Sequence, residues 1–549
     1  MPHRQPLTDP APPGASTWRP WNLVATPWPR RLGWLAWLAW LGIAAAVTAR
    51  FAGRAGDDVY ITYRYAYNLA HGRGLVFNPG ERVFGVSDPG VAMLLAGLHR
   101  ATGIEIPVLG TGLSAMALLV IAGTLLAASR AGGRAAEAWV GGTLLLASTY
   151  VWLGQGAGPL PALALLLLAA HFAGSRRPWQ AGVLAGLAFC CRPDAALGAA
   201  LLALLLVAEE WRPAAGGGGE ARRASVRLAR PLLFTAAFTA IAALALAAAW
   251  RYFGTPLPGT LAAKRAFAAL APREFTGLAF WRPAVDLFCD FAGQGGPLLL
   301  LLGVLGQVPL WVRAGRPGRL LVLYSLALAV FYTLAAVPFF IWYTIPTAIA
   351  ALYGAPFALG EMIRRAGVRA ASEGAAPQPL RRAAVPLLAG LGAAVFLVAL
   401  AAGYRWWRQG DAGNWRLFAY RTAGEWIRGH TPPEADVAFD EVGILAYYSD
   451  HPVVDLIGLV TPRSRPFAAV GDPLGAFLAK PPELLLFHTY DPRGGTRPIL
   501  FRSWFASAYE QVATISSPTA TAEGRIYRRR SGASIPPPRP PWPRPKRIL

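Results

Sequence analysis

Long apolar runs broken by short, arginine-bearing polar stretches fill most of the chain. Runs at 32–51, 107–129, 135–153, 159–174, 179–191, 195–208, 231–253, 295–312, 320–337, 341–360 and 384–404 predict about eleven helices, many close to the ~20 residues that cross a ~30 Å hydrocarbon layer. The first run is longer than the apolar stretch of a cleaved signal peptide and lacks a convincing cleavage site ahead of folded sequence, so it reads as a signal anchor. Beyond 404 the pattern changes. A helix-like stretch from Trp415 to Ile427 precedes short β-rich runs at Val437–Asp440, Pro452–Ile457 and Glu483–Phe487, which predicts a small α/β domain over 405–530. From 531 to 549 the chain turns proline-rich and reads as an extended, disordered tail. The fold class expected is an α-helical polytopic membrane protein with a C-terminal extracytoplasmic α/β domain.

Composition supports that class. Of 549 residues, 54% are hydrophobic and 15% charged, against ~45–50% and ~25% in ordinary soluble domains. The net charge of +23 suggests nucleic acid only if the basic residues share a folded soluble surface. They sit instead in short breaks between apolar runs, so the charge is a topology signal and no nucleic-acid partner is expected. Cationic loops stay cytoplasmic. With residues 1–31 inside, the inner breaks receive Arg130 and Arg134, Arg176 and Arg177, Arg212 to Arg230, Arg313 to Arg319 and Arg364 to Arg382. An odd number of spans then places 52–106, 254–294 and everything after Tyr404 outside. Gly216 to Gly219 and Arg369 to Arg382 read as flexible cytoplasmic connectors. Three cysteines, two of them adjacent, build no disulfide framework.

Ionisable groups beside a membrane are costly unless paired or functional, which directs attention to the outer loops. The first one, GDDVYITYRYAYNLAHGRGLVFNPGERVFGVSDPG, brings together Asp57, Asp58, Arg64, His71, Glu81, Arg82 and Asp88 among aromatic residues. As a helix over Val59 to Ala70 it sets Tyr60, Arg64 and Tyr67 or Asn68 on one face, with Asp57 and Asp58 at its N-terminal end. The two aspartates serve there either as helix caps or as a base for an acceptor hydroxyl, and paired carboxylates also suit Mg²⁺ or Mn²⁺ on a donor phosphate. Arg64 either pairs with one of them or binds an anionic leaving group. Arg192 and Asp194 flank a proline break and either satisfy one another or offer a cation to phosphate. Lys264 lacks an acid in its own segment and leans toward phosphate. Trp342 and Tyr343 suit the membrane interface or a sugar pocket. His71 has no second ligand at zinc spacing. Asp440 and Glu441 read as a strand-end turn, and Gly494–Gly495 is too short for a phosphate loop. Tyr65, Asn78, Glu81 and Asp88 complete the candidate substrate-binding set with Tyr60, Arg64, Asn68, His71, Arg192, Asp194, Lys264 and Tyr343.

The run from Asp57 to Pro89 resembles the first-loop signature of GT-C glycosyltransferases, in particular the bacterial group related to the mycobacterial terminal arabinofuranosyltransferase of arabinogalactan. It shares the order DD, Y, RY, NLA, LVFNPGE and a closing S-x-P turn. Weaker echoes are CRPD at Cys191–Asp194, GTPLPGTLAAK at Gly254–Lys264 and VAFDEVGILAYYSDHPVVDLIGLV at Val437–Val460. The chain departs at Phe84, where Glu is frequent, and at Asp88 and Gly259, where Asn is. The resemblance implies GT-C architecture over 32–404 and an enzyme of the bacterial cytoplasmic membrane. That enzyme takes a sugar, such as a pentofuranose, from a polyprenyl-phosphate carrier and adds it to an envelope glycan, lipid or protein, with a first-loop acid as catalytic group. On this expectation Asp57 is the general base and Asp58 orients it or shares the role. A transporter of lipid-linked saccharide would instead place charges near the bilayer midplane on repeated, broken helices, and no internal repeat is evident. A non-catalytic scaffold would bind glycan through 405–530.

Overall fold

A computed structural model describes residues 30–174, 177–211, 220–268, 277–335, 337–372, 415–488, 496–516 and 523–538, with 390, 393–394, 397–398 and 400–405. The expected N-terminal segment up to 29, the connectors at 216–219 and 373–382, much of the run at 384–404, Gly494–Gly495 and the tail from 539 lie outside the described residues.

The helices are α1 (Arg30–Phe51), α2 (Asp57–Ala70), α3 (Pro89–Thr102), α4 (Ile106–Ala131), α5 (Ala135–Ala147), α6 (Pro159–Phe172), α7 (Pro178–Cys191), α8 (Ala195–Glu210) and α9 (Glu220–Phe253). They continue with α10 (Thr260–Ala268), α11 (Leu278–Ala292), α12 (Gly296–Leu305), α13 (Gln307–Arg313), α14 (Gly315–Leu334), α15 (Ile345–Ser372), α16 (Trp415–His430) and α17 (Gly443–Ser449). Helix α6 is apolar around its circumference and buried along most of its length, which marks it as the middle of the bundle. Its neighbours α4, α7 and α8 close around it. Helices α7 and α9 approach so closely that a Cβ on Gly182 would stand 2.3 Å from the Phe234 carbonyl oxygen, so the sequence places small residues along that seam.

Among the described residues, four helical segments are long and apolar enough to cross a membrane: Ile106–Ala131, Leu228–Phe253, Leu278–Leu305 and Gly315–Leu334. Other expected spans form shorter apolar helices, among them Trp37–Phe51, Ala135–Ala147, Pro159–Phe172 and Pro178–Cys191. One boundary moves: the expected outer loop 254–294 ends earlier, because α11 and α12 run on through a single 3₁₀ turn at Gly293–Gly295. Paired aspartates and Arg282 on the exposed side of α11 hide its apolar face from a run-length reading. Helix α3, inside the first loop, also went unread.

The bundle has two chemically distinct ends, which the 26 residues of α4 hold about 39 Å apart at ~1.5 Å per residue. At one end the arginines of the expected inner breaks find acids. Arg134 donates to Glu137 at 3.0 Å and Glu361 at 2.9 Å, Arg364 to Glu137 at 2.7 Å, and Arg316 and Arg319 to Glu209 at 2.5 and 3.0 Å. At the other end the first loop, α10 and the chain after 415 pack into one body.

That body contains a five-stranded sheet in the order β2-β1-β3-β5-β4, with β1 (Val437–Phe439), β2 (Val453–Asp455) and β3 (Leu484–His488) parallel, and β4 (Tyr509–Ser516) and β5 (Glu523–Arg529) an antiparallel hairpin against β3. The first three strands and α16 fall where the pattern places them. The hairpin was missed because its outward residues are Glu, Gln and Arg, and only Tyr509, Ile515 and Ile526 are buried apolar signals. The tail begins later than expected, since Ala533 and Ile535 still pack on the sheet's second core.

Helix α17 presses on α2 without a spacer: a Cβ on Gly443 would lie 1.9 Å from the Asp57 carbonyl oxygen, which is backbone and cannot swing aside. Gly443→Ala should therefore destabilise the protein by about 1–3 kcal/mol or more, read as a lowered thermal midpoint and faster proteolysis around 430–450.

Candidate active site

Helix α2 starts after Gly56 in extended conformation, and its first two residues are the paired aspartates. Consecutive residues on a helix diverge by about 100°, so the two carboxylates leave in different directions. Asp57 turns to the sheet domain, where its two oxygens accept from the amides of Gly443 at 3.0 Å and Ile444 at 2.8 Å, the opening amides of α17. It caps a neighbour's helix, 386 residues away, rather than its own. Asp58 turns the other way, into a cleft lined also by Thr62, Ser87, Asp88, Arg192, Thr260, Lys264 and Trp342.

The Asp57 carboxyl is pushed from its ordinary 3.8 up to about 8, by burial first and the neighbouring Glu441 next, while the two amide bonds pull it down. The folded chain thus holds this proton more tightly than the unfolded one, and stability should decline as pH rises from about 4 to about 8 and level off beyond. Asp57→Asn, which imitates the protonated group, should flatten that slope in thermal unfolding followed over about pH 5 to 9.

Across the cleft Lys264, carried by α10, sets its Nζ 3.2 Å from Asp58 Oδ2. The ammonium rests among the rings of Phe340, Trp342 and Tyr343 at 4.0, 5.0 and 5.6 Å from their centroids. Burial works against its charge, but Asp58 and the Tyr343 hydroxyl outweigh it and the pKa rises. Arg192 follows the last residue of α7 and is buried. It donates through Nε at 3.0 Å and Nη2 at 2.7 Å to Asp194, and Nη2 reaches the Tyr332 hydroxyl at 3.2 Å. Tyr343 stacks on Tyr332 at 4.2 Å and lies 5.9 Å beneath the Arg192 guanidinium, so one ring links the two cations. Asp88, at the start of α3, accepts from Thr62 at 2.5 Å and from the Gly158 amide at 2.9 Å. Burial raises its pKa against the pull of those donors and of Arg192.

Asp58, Asp88, Arg192 and Lys264 therefore meet at one cleft, with Asp194 and Tyr343 behind the cations. Other candidates hold the scaffold. Arg64 is fully buried and pairs with Asp450, not with Asp57 or Asp58, and its Nε donates to the Phe77 carbonyl at 3.2 Å. It is not among the residues that line the cleft. The Tyr60 hydroxyl donates to the Gly53 carbonyl at 2.6 Å, and Tyr65 to that of Val83 at 2.6 Å while accepting from the Gly85 amide. Asn68 ties down the Val76 and Phe77 carbonyls. Asn78 exchanges two hydrogen bonds with the backbone of Val453, covering the open edge of β2 as a further strand would, and donates to the exposed Glu81. His71 is exposed, with Nδ1 on the Tyr67 carbonyl. Because Asp57 is engaged at both oxygens by amides and Asp58 faces Lys264, the two carboxylates form no joint donor set for Mg²⁺ or Mn²⁺. Among the described residues no three His, Cys, Asp or Glu gather for a metal ion.

A family model described only as a domain of unknown function matches residues 410–532, the sheet domain with its leading helix. No curated protein sequence matches the chain. The structure is similar to ArnT from Cupriavidus metallidurans bound to undecaprenyl phosphate, with a TM-score of 0.50, 13% identity and coverage of 92% of this chain and 99% of that one. The apo form of the same protein aligns with the same TM-score and identity, over 92% and 100%. The fold is that of ArnT. The oligosaccharyltransferase from Archaeoglobus fulgidus, tethered with an acceptor peptide, aligns at a TM-score of 0.43 and 14% identity over 76% of this chain and 64% of that one.

Among the described residues, four helices long and apolar enough to cross a membrane thus stand on a fold shared with ArnT. Several residues that complete the cleft or its frame escaped the sequence reading. Tyr332 lies inside an apolar run, where a tyrosine reads as core, and Thr62 carries no pattern of its own. Asp450 sits in a left-handed turn at φ 57° before His451-Pro452, a turn signal that says nothing of its two arginine partners.

Proposed function

We propose that this protein is a membrane glycosyltransferase that moves a sugar from a polyprenyl-phosphate carrier to an acceptor glycan, lipid or protein of the bacterial cell envelope, on the outer side of the cytoplasmic membrane. The finer reading of the first-loop signature is a pentofuranose donor. The observation that carries the proposal is the convergence of one carboxylate, Asp58, with two cations, the half-buried Lys264 and the buried Arg192, on a cleft where the apolar bundle meets the sheet domain. The bound undecaprenyl phosphate of ArnT, a protein of the same fold, supports a lipid-phosphate donor.

The chemistry needs three things. As the acceptor oxygen bonds to the anomeric carbon, Asp58 takes the hydroxyl proton. The bond from that carbon to the phosphate oxygen breaks with its electron pair, and Lys264 and Arg192 balance the charge left on the phosphate. Lys264 is held by its aromatic seat beside Asp58, so that one movement of its ammonium from carboxylate to phosphate would free the base. Asp57 in this scheme is a positioning residue that fixes the first turn of α2. The test is sugar transfer by the purified protein in proteoliposomes, from a radiolabelled polyprenyl-phosphate pentofuranose to envelope glycan fragments. Transfer that depends on Asp58 supports the proposal, and absence of transfer from every polyprenyl-phosphate sugar offered rejects it.

A further inference from the structure

A cavity of about 810 Å³ lies on the opposite side of α2 from the cleft and shares no lining residue with it. Its walls come from the turn after α1 (Gly53, Arg54), from α2 (Tyr67), the start of α4 (Pro107), α16 (Phe418, Arg421, Arg428) and α17 (Tyr447, Tyr448), with His71, His99 and Glu105. The volume falls in the ~300–1,000 Å³ range of small-molecule sites.

Two features define what would fit. The first is a continuous wall of rings. His99 lies 5.8 Å from His71, His71 4.0 Å from Tyr67, Tyr67 5.6 Å from Tyr447, and Tyr447 5.1 Å from Tyr448. Arg421 then closes the row 4.9 Å above Tyr448. Such a wall offers flat, amphipathic faces to the C–H faces of sugar rings, with hydroxyl and imidazole edges for their hydroxyls. The second is charge: Arg421, whose Nε donates to Glu425 at 2.8 Å, and Arg428 bring two guanidinium groups to the lining, which Arg54 and Glu105 also share. The Nδ1 atoms of His71 and His99 lie 2.8 Å from the Tyr67 and Ile104 carbonyls, which leaves each Nε2 turned away from its own backbone.

We infer that this cavity is a second saccharide site, which takes a glycan bearing carboxylate or phosphate groups. Its sugar rings lie along the His99-to-Tyr448 wall and its anionic groups meet Arg421 and Arg428. Binding there is independent of the transfer chemistry; only the role of the bound chain as an acceptor rests on the reading above.

The test is equilibrium binding to the full-length protein in detergent. The probes are fluorescent hexagalacturonate and a neutral mannose hexamer. The charged hexamer is expected to bind at least about tenfold more tightly, and more weakly as salt rises. Arg421→Gln combined with Arg428→Gln should remove about tenfold of that affinity, and both residues are exposed, so the fold survives. Equal binding of charged and neutral hexamers, or full affinity in the double variant, overturns the inference. Displacement of hexagalacturonate by nanodiscs of phosphatidylglycerol, but not of phosphatidylcholine, also overturns it, by showing a lipid headgroup site. Asp58→Asn should bind hexagalacturonate as the parent does, so loss of the transfer reading and loss of this one are separate results.

Discussion

Asp58→Asn is expected to lower sugar transfer by about 10²–10⁴-fold, because it removes the proton acceptor, and to lower the thermal midpoint as well, because it takes the acid away from the Lys264 ammonium. The amide keeps the size of the carboxylate, and the oxygen that Lys264 approaches at 3.2 Å is either exchanged for nitrogen or kept. Asp57→Asn is the informative comparison. It should keep most of its activity per folded molecule and change stability instead, since its carboxylate caps α17 and does not enter the cleft. The pair of variants, assayed for both transfer and melting, separates the residues that adjacency in sequence makes look alike. If Asp57→Asn abolishes turnover while Asp58→Asn does not, the assignment of the base is reversed.

Asp450→Asn should cost about 3–5 kcal/mol of stability, the second large effect. Asp450 is the counterion of Arg64, whose side chain is fully enclosed, and it also receives Arg73 at 2.6 and 3.0 Å. Burial works against the ionised acid, but the two guanidinium groups outweigh it and its pKa falls. Asparagine tolerates the left-handed backbone at φ 57°, so the substitution removes charge without adding backbone strain. The buried guanidinium then keeps the Phe77 carbonyl and a neutral amide oxygen but loses its counter-charge. Chemical unfolding of the variant, followed by tryptophan fluorescence, measures the loss. The same pair predicts acid sensitivity: its stabilisation is present above the ordinary carboxylate value of 3.8 and is lost as pH falls below it.

The helices, the sheet domain's first three strands and the acidic first loop were readable because each is written locally, in run length, in alternation or in a cluster of charges. The division of labour between Asp57 and Asp58 was not. It depends on the rotation of α2 against α17, an element 386 residues away that contributes amides rather than a recognisable side chain. Arg64 failed for the same reason: its partner was sought among near acids, while the fold delivers Asp450. Lys264 was read as lacking an acid in its own segment, which is true of the sequence; the acid comes from the first loop. Arg192 and Asp194, two residues apart across a proline, were the one ion pair of the cleft that spacing alone presented as an alternative.

Helix α2 emerges early in synthesis, yet the groups that hold its first turn, Gly443 and Ile444, and the one that holds its Arg64, Asp450, are made near the end. A nascent chain already carrying Asp58, Asp88, Arg192 and Lys264 is consequently unfinished in geometry until the sheet domain has been made and docked, so the order of translation itself sets when the cleft is complete.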